Sequence, residues 1–135
     1  MICVEWIDRF NLGIHEIDDQ HKRLIGIMNK ICTALNEGEG DTVAGEALVE
    51  MEDYALTHFT LEEKYFDEFH YPKTEEHKTW HRAFINKAQA MKRDFESGKK
   101  SVSIDAISFL GGWFIDHTQT FDRDYVATFK EHGVQ

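Results

Sequence analysis

Leu48-Val-Glu-Met-Glu-Asp-Tyr-Ala-Leu-Thr-His-Phe-Thr-Leu-Glu-Glu-Lys-Tyr-Phe-Asp-Glu-Phe69 is the stretch on which the fold of this 135-residue chain turns. Leu48, Met51 and Ala55, and then Tyr65 and Phe69, recur at intervals of three or four, the period of a helix with one buried stripe. His58 and Glu62 fall on that same stripe. A residue four positions on lies about 40° further round a helix, so this pair points one way, into the seam. Polar side chains aimed into a core are costly unless something satisfies them. Two questions follow: what the helix packs against, and what its inward polar pair meets.

Three further stretches repeat the pattern. Ile17, His21, Leu24, Met28, Ile31 and Leu35 form one stripe, with Asp18 as the expected N-cap and Glu37-Gly-Glu-Gly-Asp41 as its breaker. His77, His81, Phe84, Ala88, Met91 and Phe95 form another, opened by Thr74 with Glu75 and Glu76 against its positive end, and closed by Gly98. Ile107, Leu110, Phe114, His117 and Phe121 make the last, opened by Ser101 or Ser103. Pro72 stops the helix that runs through Phe69. The expected helices are 17–37, 42–69, 75–97 and 103–130. Short breaks between long helices favour antiparallel neighbours, so the expected fold is all-α, an antiparallel up-down four-helix bundle in a single domain, 1–135. Residues 1–16 form a non-helical arm: Val4, Trp6, Phe10, Leu12 and Ile14 are expected to lie against the bundle, bent at Gly13.

Composition narrows the function. A formal net charge of −10 argues against nucleic acid or an anionic membrane surface as partner. No apolar run approaches the roughly 20 residues that span a bilayer. The opening Met-Ile-Cys-Val-Glu-Trp lacks the basic-then-apolar pattern of a secretion signal, so a cytoplasmic protein is expected; a monomer is expected as well. Cys3 and Cys32 have no metal-ligand spacing and are expected to be reduced structural thiols.

The buried polar groups carry the chemistry. His21, the His58–Glu62 pair, the His77–His81 pair and His117 sit on four facing seams, and bundle cores are where such groups build metal sites. Imidazole and carboxylate without thiolate suit iron, manganese or zinc. With one more carboxylate the set reaches seven groups, too many for the four of a structural zinc ion and about right for two ions sharing carboxylates. That last carboxylate is ambiguous: Asp122 lies about 140° round a regular helix from His117, whereas Asp124 returns to nearly the same face. His15, His70 and His132 fall in the arm, a loop and the tail and read as solvated imidazoles.

The series His21, His58-x-x-x-Glu62, His77-x-x-x-His81, His117-x-x-x-x-Asp122, with Asp18-Asp-Gln-His-Lys-Arg, His58-Phe-x-x-Glu-Glu and an opening Trp6, resembles the bacterial hemerythrins over essentially the whole chain. The resemblance selects Asp122 over Asp124. It implies a non-haem di-iron centre, oxo- or hydroxo-bridged, that binds dioxygen reversibly for storage, delivery or sensing, without being an enzyme. It further implies that His77, His81 and His117 hold one iron, His21 and His58 the other, and Glu62 and Asp122 bridge them. The second iron is then five-coordinate, and dioxygen binds it end-on as hydroperoxide. The alternatives are a di-iron redox enzyme, peroxidase-like or handling nitric oxide or iron, and an oxygen-sensing module of a larger receptor.

Phe59, Phe84, Phe114, Phe121 and Trp80 lie within a turn of these ligands and are expected to exclude water; Phe59, Phe114 and Thr118 are the expected oxygen pocket. Thr118 and Gln119 stand where the family commonly has branched apolar residues. A Thr118 hydroxyl facing the pocket would admit water or hydrogen-bond the oxygen species and hasten autoxidation, and Thr118→Ile would then lengthen the life of the oxygenated form.

Overall fold

The computed structural model describes residues 4–135. Its helices are α1 (His15–Asn36), α2 (Gly40–Phe69), α3 (Thr74–Glu96), α4 (Val102–Trp113) and α5 (Asp122–Glu131). A 3₁₀ turn, Asp8–Phe10, interrupts the arm, and a π-helical turn, Phe114–Phe121, joins α4 to α5. Backbone dihedrals stay right-handed helical from Trp113 to Asp122, so α4, the π turn and α5 form one rod. The four rods pack in a ring, α1 on α2, α2 on α3, α3 on α4 and α4 back on α1. Their links are short, 37–39, 70–73 and 97–101, so successive rods run antiparallel. The fold is the four-helix bundle that the periodicity implies, with no strand among the described residues. None of these helices is long and apolar enough to cross a membrane.

The ends of the rods differ from the expected caps. Asp18 lies inside α1 rather than at its N-cap, which is Ile14. Its carboxylate instead accepts the backbone N–H groups of Leu12 (2.8 Å) and Gly13 (3.1 Å), fastening the arm where it turns into the helix. Thr74 is the first residue of α3, with its hydroxyl donated to the Tyr71 carbonyl at 2.6 Å. Ser101 does stand at the N-cap of α4. Gly98, at φ +91°, ends α3 in the left-handed region that glycine enters without strain.

The core is divided along the bundle axis. One apolar cluster gathers Leu24, Ile31, Met51, Phe59, Phe84, Leu110, Trp113 and Phe114. A second gathers Leu12, Ile14, Ile17, Phe66, Tyr71, Tyr125 and Phe129. On α1, α2 and the fourth rod the inward polar residues lie between a member of the first cluster and a member of the second, and on α3 they lie between Phe84 and Tyr71 of the preceding link, so a polar layer is sandwiched between two dry ones. The buried residue beyond Glu62 is Phe66; Tyr65 and Phe69, on the expected stripe, are only partly buried.

The arm packs as expected but its fastenings were not foreseen. Val4 gives its N–H to the Asn29 amide oxygen (2.8 Å), and Asn29 returns its NH₂ to the Val4 carbonyl (2.7 Å). Phe10 packs edge-on against Phe114 at 4.8 Å, with Trp6 edge-on to both. Cys32 on α1 is disulfide-bonded, which corrects the expectation of a reduced thiol; Asn29, one turn before it, is where the arm is tied to α1. Cys3 lies outside the described residues.

Candidate metal centre

The polar layer brings all seven expected ligands together. α1 supplies His21, α2 His58 and Glu62, α3 His77 and His81, and the fourth rod His117 and Asp122; all are buried. The five imidazoles turn their Nε2 atoms toward the two carboxylates. Asp122 Oδ2 lies 3.0 Å from His21 Nε2 and 3.9 Å from His58 Nε2, while its Oδ1 lies 2.8 Å from His77 Nε2 and 3.1 Å from His117 Nε2. Glu62 Oε1 is 3.0 Å from His58 Nε2 and 3.2 Å from His81 Nε2, with Oε2 3.8 Å from His77 Nε2. His117 and His77 bring their Nε2 atoms to 3.0 Å of one another.

Asp122 reaches this layer because the fourth rod is not a regular α-helix. In the π turn the Asp122 N–H bonds to the His117 carbonyl five residues back. A five-residue turn sets positions i and i+5 one above the other, as a four-residue turn does for i and i+4. Asp124, the residue a regular helix would favour, is exposed and pairs with Lys73 at 3.2 Å.

The layer is not satisfied by its own hydrogen bonds. Both oxygens of Glu62, Asp122 Oδ1, His58 Nε2 and His81 Nε2 are buried and lack a hydrogen-bond partner despite their proximity. Orphaned acceptors facing imidazole nitrogens in a dry core are costly, and cations between them would satisfy both. Among the described residues, three sets of ligand atoms lie within 4.8 Å of one another and could each hold a metal: His77 with His81 and His117, His21 with His58 and Asp122, and Glu62 with His77 and Asp122. Asp122 and His77 each occur in two of the three sets.

Electrostatics carries the same signature. Burial alone would raise both carboxyls, but the surrounding imidazoles overcome it and hold Glu62 and Asp122 well below the usual carboxylate range. Burial opposes protonation of His58, yet Glu62 and Asp122 outweigh it and hold the imidazole up at about 9. Burial prevails at His117, whose pKa falls. For Tyr54 and Tyr125, burial and then the two carboxylates push the hydroxyls well above the usual tyrosine range.

The contacts of several surrounding residues do not follow from the sequence pattern. Gln20 Oε1 accepts from His58 Nδ1 at 2.5 Å, and Glu63 Oε2 accepts from His81 Nδ1 at 2.8 Å. Nothing in the seam pattern marks either, because both sit at the edge of the polar layer. Tyr54 stacks on His58 (5.2 Å, 18°) and lies four residues before it, so the seam did hold that signal. Trp113 stacks on His117 (4.0 Å, 14°) and Phe59 on His81 (3.9 Å, 6°). Phe114 meets His21 edge-on at 6.4 Å. Trp80, by contrast, remains 42% exposed and covers the site from outside, stacked on Phe121 at 5.3 Å.

Thr118 is buried, but its hydroxyl donates to the Phe114 carbonyl of its own turn. Its proton is therefore committed inside the helix and not offered to a ligand. Gln119 belongs to the arm: its amide donates to the Phe10 carbonyl at 3.3 Å and receives Arg123, which also donates to the Arg9 carbonyl at 2.8 Å.

Comparison with known proteins agrees with this geometry. Residues 12–129 match the Hemerythrin HHE cation binding domain. A bacteriohemerythrin of Stenotrophomonas maltophilia is 32% identical over 132 residues, covering 98% of this chain and 85% of its own. One from Clostridium acetobutylicum is 32% identical over 125 residues, covering 90% and 97%. A solved hemerythrin bearing a leucine-to-tyrosine substitution superposes with a TM-score of 0.80 at 25% identity, over 95% of this chain and 98% of that one.

Proposed function

Since the chain belongs to the hemerythrin family, we propose that it binds dioxygen reversibly at a pair of iron ions held between its four rods, as a carrier, store or sensor rather than an enzyme. The observation that carries this reading is the division of Asp122, one oxygen toward His21 and His58 and the other toward His77 and His117. A carboxylate so placed is built to be shared between two cations.

In this reading His77, His81 and His117 would hold one iron, His21 and His58 the other, and Glu62 and Asp122 would serve both. When bound, the two irons supply the electrons that dioxygen takes up and returns. The remaining work belongs to the chain. Three imidazoles on one side against two on the other would leave the metal at His21 and His58 one ligand short, the place this reading gives to dioxygen. Phe114 and Tyr54 flank those two imidazoles, while Phe59 and Trp113 lie flat on His81 and His117. These buried rings keep bulk water from the layer, and an apolar shell of this kind governs solvent access and redox behaviour at a metal. The arm closes the Phe114 side through Phe10 and Trp6.

The test is iron content together with visible absorption of anaerobically reduced protein, before and after admitting air. Two irons per chain and a colour that appears with oxygen and disappears on its removal are expected. A protein that takes up no iron on reconstitution, or whose colour forms once and never reverses, would sink the proposal.

A further inference from the structure

Two of the five imidazoles have a hydrogen-bonded outer nitrogen, and the two partners differ in charge. His81 Nδ1 meets the carboxylate of Glu63, and His58 Nδ1 meets the side-chain amide of Gln20. Each partner presents an oxygen that can only accept, so Nδ1 carries the hydrogen in both rings. With the hydrogen kept at Nδ1, a metal displaces the proton at Nε2, whose lone pair then points inward, where each ring approaches Glu62 Oε1. No further polar partner is needed to orient the rings, since Phe59 lies flat on His81 and Tyr54 on His58.

The charges then matter. A carboxylate draws on an Nδ1 hydrogen more strongly than a neutral amide does, and it makes the imidazole a better donor at Nε2. Glu63 has one-third of its side chain exposed, and His81 is its only ion-pair partner among the described residues. Lys78, on the same surface, gives its ammonium to Asp67 at 2.9 Å and meets Glu63 only through space, without an ion-pair contact. Glu63 therefore acts on the three-histidine half of the centre and Gln20 on the two-histidine half.

We propose that Glu63 and Gln20 are positioning residues that grade the two halves of the centre, so that the His77/His81/His117 half binds metal more tightly and fills first. The inference rests on the two-metal reading above. Ligand number alone would also favour that half, so the proposal is carried by what happens when the outer partners are exchanged.

The experiment is titration of the metal-free protein with cobalt(II), followed by its visible bands, for the native chain, Glu63→Gln and Gln20→Glu. Glu63→Gln keeps the shape and an acceptor but removes the charge. It is expected to weaken the first equivalent by roughly 10- to 100-fold and to leave the second nearly unchanged, the scale on which partners of ligating histidines act. Gln20→Glu is expected to tighten the second equivalent by about tenfold and narrow the gap between the two. Thermal unfolding of each metal-free variant checks its fold; should Glu63→Gln not fold, Gln20→Glu decides alone. Equal weakening of both equivalents by Glu63→Gln, or no tightening by Gln20→Glu, overturns the proposal while leaving a two-metal site standing. A native chain that binds fewer than two cobalt ions overturns the two-metal reading itself, and this inference with it.

Discussion

α2 and the fourth rod solve one problem in two ways. Each must present a histidine and a carboxylate to the same buried layer, flanked by apolar residues above and below. α2 does so with His58 and Glu62 four apart on a regular helix. The fourth rod does so with His117 and Asp122 five apart, and its backbone widens to a π turn over Phe114–Phe121. The extra residue is absorbed within that turn, because Tyr125 and Phe129 beyond it still face the second apolar cluster. What the layer specifies is therefore the position of the carboxylate, and the local helix type follows from how many residues lie in between. Isolated π turns within α-helices are frequent at functional sites, and here the reason is geometric.

The largest expected effect comes from removing one exposed threonine from each pair. Deleting Thr60 from His58-Phe-Thr-Leu-Glu62 turns everything beyond it by about 100°, taking Glu62 and Phe66 out of the core. Losing a buried phenylalanine's packing alone costs about 3–5 kcal/mol, against a total stability of roughly 5–15 kcal/mol, so this variant should not fold. Deleting Thr120 from His117-Thr-Gln-Thr-Phe-Asp122 should instead let the wide turn close as ordinary α-helix, with Asp122, Tyr125 and Phe129 still facing inward. Its melting temperature is expected near that of the native protein, with two metal equivalents still bound. Circular dichroism melts and metal titration of both deletions check this. Equal damage from the two would mean that the π turn does more than absorb a residue.

A smaller step sharpens the choice of carboxylate within the fourth rod. Asp122→Asn removes the shared charge from the layer, and metal stoichiometry should fall from two to one or none. Asp124→Asn breaks an exposed pair with Lys73 and should change stability by less than about 0.5 kcal/mol, with both metals retained. Metal analysis of the two variants side by side is the measurement. Loss of metal from Asp124→Asn would mean that the rod can rotate to offer the other face.

This pair of aspartates also marks what the sequence could and could not tell. Three-four spacing located four rods and placed His21, His58, Glu62, His77, His81 and His117 on inward seams, because the first five lie on regular helix and His117 follows Leu110 and Phe114 before the π turn has displaced the stripe. It pointed to Asp124 in the fourth rod because a wheel drawn at 100° per residue cannot know that a ladder bond has lengthened; only the ordered series of motifs pointed to Asp122. Glu63 and Gln20 stand in the motifs that carry the resemblance, but their contacts were illegible for a different reason. Each reaches the outer edge of an imidazole on another rod, and such contacts depend on how rods are set against one another, which periodicity does not encode. Trp113 hid because the fourth stripe was read through Leu110 and Phe114, and its apolar face proves one residue wider.

The smallest effect concerns Thr118, in the π turn of the fourth rod, where α2 has Phe59 after its histidine. Read from sequence, its hydroxyl threatened the oxygenated form; in the folded chain that hydroxyl donates to the Phe114 carbonyl and has no proton to spare. A threonine that returns its hydroxyl to the carbonyl four residues back makes a local bond inside its own rod and turns the proton away from the ligand layer. Thr118→Val keeps the shape and removes only that bond, so it should lower stability by about 1 kcal/mol. The decay rate of the oxygenated form should change by less than about twofold, under ~0.4 kcal/mol of barrier. Stopped-flow decay of the oxygenated form against the native protein makes the comparison. A tenfold longer lifetime would mean that the hydroxyl does leave the Phe114 carbonyl and reach the pocket, and that the π turn is a liability for oxygen binding as well as the means of placing Asp122.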